Sequence, residues 1–282
     1  MPENSASIEL RAEVMVVAEA AARKAGELIR SRRSTKTVAV SLKAARNLVT
    51  TTDVEAEKLI IEEIRKSFPA HRILAEESSE ETALVAYDRG PLWVIDPIDG
   101  TTNFAHGHPH VGVSIGWIHD GRAEVGVVLS PFQEEIFSAT FGGGAFCNDS
   151  PISVTSTTRF EDALIATGFP YDRSNVDTIC DRLKKVLRDC RDVRRVGAAS
   201  LDFCWVACGR FDGFYEQGLS PWDGVAGKVI VREAGGVVGH FPYDSGQVPS
   251  NVRYTGDLFM DNVIAATPGI YEALLHRVSA AR

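Results

Sequence analysis

Near the start of the chain, apolar residues recur at helical spacing. Leu10, Val14, Val17, Ala21, Ala25 and Ile29 share one face, which predicts an amphipathic helix over about 7–33. Val54, Leu59, Ile60, Ile64 and Phe68 predict a second helix over about 54–68, which Pro69 ends. The period then shortens. Runs at 72–75, 92–95, 111–118, 123–129 and 135–140 read as strands, with turn chemistry at His119-Asp120-Gly121 and at 141–144. From about 156 strands and helices alternate: strands at 163–167, 213–216, 237–239 and 263–266, and helices at about 174–190, 199–209, 222–234 and 268–279. No repeat, low-complexity tract or long linker interrupts the pattern. The expectation is one body over 1–282, a layered α/β sandwich. Its N-terminal α+β half covers about 1–155 and its C-terminal α/β half about 156–282.

Composition narrows the class. Of 282 residues, 44% are apolar and 24% charged, as in a packed globular chain. Net charge is 30 − 38 = −8 with no basic block, which argues against nucleic acid or an anionic membrane as the main partner. A phosphorylated substrate stays open, because bound cations reverse the local sign of a site. The five cysteines, Cys147, Cys180, Cys190, Cys204 and Cys208, form no C-x-x-C pair, which suits reduced thiols in the cytoplasm. The polar N-terminus has no signal-peptide core, and no apolar run approaches the roughly 18 residues of a membrane span.

Candidate chemistry concentrates in Leu92-Trp93-Val94-Ile95-Asp96-Pro97-Ile98-Asp99-Gly100-Thr101-Thr102-Asn103-Phe104. An apolar strand runs into two aspartates and then a segment able to open a helix. Pro97 is expected to end the strand's ladder, so that both carboxylates converge at its exit. The N–H groups of Gly100, Thr101 and Thr102 would face an anion. Read alone, the motif also describes an acidic turn with a helix cap. Two further segments add acids at comparable places: Glu76-Glu77-Ser78 after a strand, and Asp223 at a helix start in Ser220-Pro221-Trp222-Asp223. Glu76, Asp96, Asp99 and Asp223 sum to −4, the charge of two divalent cations, which matches a two-metal phosphoryl site.

The order E-E-S, D-P-I-D-G-T-T-N-F, W-D-x-x-A-G resembles the inositol monophosphatase family of Mg²⁺-dependent, lithium-sensitive phosphatases, with motifs spread over residues 43 to 227. The resemblance implies an α-β-α-β-α sandwich of the sugar-phosphatase type and two or three Mg²⁺ per subunit. Glu76, Asp96 and the Ile98 carbonyl would hold the first ion; Asp96, Asp99 and Asp223 would hold the second. Leu48-Val49-Thr50-Thr51-Thr52-Asp53 is similar to the family's L-V-T-x-x-D, which would set Asp53 against Thr101, the pair and Glu76 orienting the attacking water. Asp53 equally caps the adjoining helix. Phosphate would rest on the amides of Gly100 and Thr101. Glu216 would accept hydrogen bonds from sugar hydroxyls, with Arg194 and the Ala199 backbone in the same pocket. A homodimer is also implied.

Two residues depart from the family pattern. Asn47 replaces the usual Asp before L-V-T, which weakens a third metal site. Gly224 follows Asp223 where an apolar residue is usual, and is expected to loosen that helix start. His106, His108 and His110 read as loop residues at most edging the site. Direct displacement by water is the implied mechanism. Inositol 1-phosphate leads as substrate, with fructose 1,6-bisphosphate, histidinol phosphate and 3′-phosphorylated nucleotides as rivals. A regulatory binding protein retaining the fold is the reading from another class.

Overall fold

The computed structural model describes residues 5–34, 40–44, 47–78, 90–243 and 255–279. The first helical pattern forms α1 (Ile8–Ser34), with Arg32 and Arg33 at its negative C-terminal end. An unanticipated hairpin comes next, β1 (Val40–Ala44) and β2 (Asn47–Thr50). Helix α2 (Thr51–Ser67) begins ahead of its first periodic residue because of its cap. The Asp53 carboxylate accepts the Thr50 N–H at 3.0 Å, and the Thr50 hydroxyl accepts the Thr52 N–H at 3.2 Å.

A seven-stranded sheet then runs in sequence order. It comprises β3 (Arg72–Ala75), β4 (Pro91–Asp99), β5 (Gly112–His119), β6 (Arg122–Ser130), β7 (Glu135–Thr140), β8 (Gly144–Cys147) and β9 (Ser150–Pro151). Only β3 and β4 pair in parallel; the remaining neighbours are antiparallel. A short helix, α3 (Thr101–Ala105), follows β4. The C-terminal part contributes β10 (Leu164–Thr167), α4 (Val176–Asp189), β11 (Asp192–Arg194), α5 (Ala199–Ala207), β12 (Gly213–Glu216), α6 (Pro221–Glu233), β13 (Val237–His240), β14 (Val263–Ala266) and α7 (Pro268–Ser279). Its five strands lie in the order β11-β10-β12-β14-β13.

Strand periodicity explains the layering. On β4, Trp93 and Ile95 join the cluster formed with α1 and α2, while Leu92 and Val94 join the one formed with α5 and α6. On β14, Val263 and Ala265 face that second cluster; Ile264 and Ala266 face a third, formed with α4 and α7. Three apolar clusters thus hold five layers together, α1/α2, seven strands, α5/α6, five strands and α4/α7, the middle cluster lying on both sides of α5/α6. Strands buried on both faces read as nearly continuous apolar runs. No helix among the described residues is long and apolar enough to cross a membrane.

Two glycines set the seat of α6. Gly116 on β5 pairs across the ladder with Gly126 on β6, leaving a bare strip of sheet. Helix α6 lies on it: a methyl group on Gly116 would come 2.7 Å from Val225 Cγ1, and one on Gly126 would run into the Ala226 carbonyl oxygen.

Candidate active site and metal centre

Strand β4 does not end at Pro97. Asp96 pairs with Ser114 and Asp99 with Gly112, so three steps on β4 match two on β5. The extra residue is a bulge, with Pro97 inside it, and the ladder resumes at Asp99. Three steps on a regular strand would send the two side chains to opposite faces; one bulged residue returns them to the same face. Leu92, Val94 and Asp96 alternate onto the side of α5 and α6, and the bulge adds Asp99 to it.

Helix α6 delivers the third acid. Ser220 and Asp223 form a capping box: the Ser220 N–H donates to Asp223 Oδ2 at 2.6 Å, with Pro221 in the first helical turn. Gly224 does not loosen this start. The space a side chain would take is filled by the end of Met260, with Phe203 Cε2 beside it. Ligand oxygens of Asp96, Asp99 and Asp223 lie within 4.8 Å of one another. Backbone donors hold one oxygen of each: Ile98 N–H reaches Asp96 Oδ1 at 2.9 Å, and Ser200 N–H reaches Asp99 Oδ2 at 2.6 Å. The Ser200 hydroxyl donates to that same Asp99 oxygen at 2.5 Å. Each carboxylate keeps a second oxygen as the atom it would offer an ion.

Electrostatics makes the cluster unfavourable by itself. Burial, and then the charges of Glu76, Asp99 and Asp223, push the Asp96 carboxyl well above the usual range. Asp223 is pushed well up by burial and by Asp99 and Glu76. Asp99 is raised by burial, opposed by its bonds from Ser200. Hard, crowded, buried oxygens of this kind fit a hard divalent cation. Glu76, whose N–H bonds to the Ile95 carbonyl at 3.1 Å, stands at the end of β3 beside them.

Asp53 and Thr101 do meet. The Thr101 hydroxyl lies 3.0 Å from Asp53 Oδ1 and 3.0 Å from the Ile98 carbonyl oxygen. Asp53 therefore caps α2 and reaches Thr101 at once, and burial raises its pKa against the bonds from Thr50 and Thr101. Gly100 caps α3 at φ 89°, in the left-handed region glycine tolerates.

Glu216, at the end of β12, is buried, and burial pushes its carboxyl up to about 8. Arg194 is not brought to it: on β11 its guanidinium pairs with Asp192 at 2.6 Å, half exposed. Arg195 and, more weakly, Arg173 are the arginines within electrostatic reach of Glu216. The Ala199 amide is directed at Asp99. His110 proves to be buried, its Nε2 3.7 Å from Asp202 and its ring 4.8 Å from Trp205, edge to face; burial lowers its pKa to about 4. His106 and His108 are exposed. Asn47 lies in β2, and its side chain is outside the described residues.

The sequence matches the inositol monophosphatase family over residues 10–281. The chain belongs to that family. Nus factor SuhB of Escherichia coli (strain K12) is 42% identical over 261 residues, covering 92% of this chain and 93% of that one. Nus factor SuhB of Salmonella typhimurium (strain LT2) is 42% identical over 264 residues, 93% of this chain and 94% of that. Among solved structures, the extragenic suppressor protein suhB of Bartonella henselae superposes with a TM-score of 0.84 at 36% identity, covering 96% of this chain and 100% of that chain. The inositol monophosphatase of Anabaena sp. PCC 7120 gives 0.79 at 34%, covering 96% of each.

Within the inositol monophosphatase fold, then, the predicted acids and Thr101 gather at one place, and Arg194 stays apart. Sequence reasoning missed Ser200, which clamps Asp99. It also missed Tyr171, half exposed in its loop, whose hydroxyl is pushed up to about 12 by partial burial and by Asp223, Glu76, Asp99 and Asp96. Ser200 had a signal, a hydroxyl beside Ala199 at a helix start. Tyr171 sits in a loop with none.

Proposed function

We propose that this protein hydrolyses a phosphomonoester of a small polyol or sugar, inositol 1-phosphate foremost, with Mg²⁺ held by Glu76, Asp96, the Ile98 carbonyl, Asp99 and Asp223. The convergence of three carboxylates within 4.8 Å, Asp96 and Asp99 buried and Asp223 half-buried, each with one oxygen tied to a backbone donor, carries this reading. Mg²⁺ bound there would supply Lewis acidity toward the phosphoryl oxygens and acidify a water. The residues do the positioning. The Thr101 hydroxyl has one hydrogen and two acceptors, Asp53 and the Ile98 carbonyl; donating to either leaves its oxygen to accept from water. Glu76 and the Asp53–Thr101 pair orient that water. The Gly100 and Thr101 amides receive the phosphate, and Glu216 bonds the hydroxyls of the alcohol.

The test is phosphate release from inositol 1-phosphate, fructose 1,6-bisphosphate, histidinol phosphate and a 3′-phosphoadenosine nucleotide, each with Mg²⁺, with EDTA, and with Mg²⁺ plus Li⁺. Release that requires Mg²⁺, is suppressed by Li⁺ and is lost in Asp96→Asn is expected. Equal release in EDTA, or from Asp96→Asn, would sink the metal assignment. A second reading, a regulatory binding protein on the same fold, is favoured by the Nus factor name of relatives 42% identical. That name reopens the question of partners, which net charge alone had answered against nucleic acid. Absence of release from every substrate would move this reading to the front.

A further inference from the structure

Glu216 is seated on a residue that has no side chain. Strands β10 and β12 are parallel neighbours with Thr167 level with Tyr215, so Gly168 and Glu216 come next on each. Side chains at level positions of neighbouring strands stand side by side, about 4.8 Å apart. Glu216 instead lies across its neighbour. A methyl group on Gly168 would fall 1.9 Å from Glu216 Oε2, 2.0 Å from its Cδ and 2.1 Å from its Oε1. The carboxylate fills the place of the missing side chain. Among the described residues no hydrogen bond or ion pair engages it, whereas Asp96, Asp99 and Asp223 each have a backbone donor.

Backbone conformation does not call for glycine at 168, which is not among the glycines of positive φ. The carboxylate does. The backbone beneath it is held on both strands. The Thr167 hydroxyl donates to the Tyr215 carbonyl at 2.9 Å, and the Gly218 N–H donates to Asp261 Oδ1 at 2.7 Å. Pro170 packs on Gly218, its Cβ 3.1 Å from where a methyl group there would sit. With the strand ends held, an alanine at 168 would be accommodated by the flexible side chain and not by the backbone. The nearest carboxylate oxygen would go from 1.9 Å to the 3.4 Å of ordinary contact. A group that receives substrate and moves by about 1 Å loses affinity steeply.

We propose that Gly168 is a positioning residue that sets substrate selectivity. It fixes the depth at which the Glu216 carboxylate waits, and so favours a ring polyol whose hydroxyls reach that carboxylate over an alcohol that has none. Gly168 acts through Glu216 alone, which makes the two positions non-additive. This rests on the reading of Glu216 given above, and its test separates the two.

Calorimetry in Mg²⁺ would compare two hydrolysis-resistant phosphonates, the analogue of inositol 1-phosphate and that of cyclohexyl phosphate, which has the same ring without hydroxyls. Phosphate release from the parent esters would be followed in parallel. The wild type is expected to bind the inositol analogue at least about tenfold tighter, as charge-assisted hydrogen bonds to hydroxyls provide. Gly168→Ala should bring that ratio close to the value found in Glu216→Ala, and its loss in turnover of inositol 1-phosphate should fall on KM and not on kcat. In G168A/E216A the methyl group enters the space the carboxylate has left, so the double variant should match Glu216→Ala. If Gly168→Ala does not fold, recovery of folding in G168A/E216A supports the seat, and failure of both overturns it. A wild-type ratio near one, an unchanged ratio in Gly168→Ala, equal weakening of both analogues, or additive losses in the double variant overturns the proposal. Phosphate release without the ratio keeps the phosphatase reading and removes this role of Gly168. The ratio and its non-additivity without phosphate release keep the role and remove the phosphatase reading.

Discussion

Glu216 shows how a single residue joins stability to function. An acid at the end of a buried strand has lost its water, and burial, more than any neighbour, lifts its pKa from 4.5 to about 8. The unfolded chain releases this proton near pH 4.5, the folded chain near 8. Between those values the folded state holds more protons, so stability falls as pH rises through that window. Glutamine at 216 keeps the shape without the charge. Glu216→Gln is therefore expected to match the wild type in melting temperature at pH 4.5 and exceed it by a few degrees at pH 8, measured in EDTA without substrate. A gap equal at both pH values would show that the charge is not the cause. In turnover assays the same variant should raise KM for the preferred substrate, the usual exchange of stability for a binding group.

At the scale of elements, legibility followed periodicity. The long helices, the two-faced strands β4 to β7 and the closing β14–α7 unit carry hydrophobic patterns strong enough to read directly. The hairpin β1–β2, the short β8 and β9, and β11 lack an apolar run of that kind. The bulge at Pro97 could not be read, because a bulge is a mismatch between two strands and β5 must be placed before it exists. Arg195 over Arg194 is a similar case: of two adjacent arginines, only the fold says which pairs with Asp192 and which comes within electrostatic reach of Glu216. Gly116 and Gly126 were ordinary strand residues until α6 was laid on them. That contact fixes where α6 starts and hence where Asp223 sits. Gly126→Ala would press a methyl group into the Ala226 carbonyl, backbone that cannot rotate away. The expected cost is about 1–3 kcal/mol of stability, as for other overpacked cores. Mg²⁺ affinity should drop with it, because Asp223 moves while Asp96 and Asp99 stay. Calorimetry and a Mg²⁺ titration of the variant check both; normal Mg²⁺ affinity at reduced stability would mean that α6 does not set the site.

At the scale of the whole molecule, the cluster sits where two layers meet. Asp96 and Asp99 belong to the seven-stranded sheet, while Asp223 and the Ser200 clamp belong to the helix layer between the sheets. A cation bound there would tie those layers together, and without one their acids repel across the same junction. Mg²⁺ should therefore act on the global melting transition and not on a loop. At a hundredfold excess over its Kd, a single ion stabilises by about 2.7 kcal/mol, which for a chain of this size is a rise of about 5 °C. Binding also displaces protons that burial and mutual repulsion hold on Asp96 and Asp223, so the apparent Mg²⁺ affinity should increase with pH above the ordinary carboxylate range. Asp96→Asn separates this from a general salt effect. Removing one charge relieves repulsion in the metal-free state, so the variant in EDTA should melt at or above the wild type in EDTA. Adding Mg²⁺ should raise the wild type past it and leave the variant nearly unmoved. The two melting curves thus exchange order on adding metal. A variant that starts lower and gains as much from Mg²⁺ as the wild type would mean that the ion binds elsewhere and that the junction is held by packing alone.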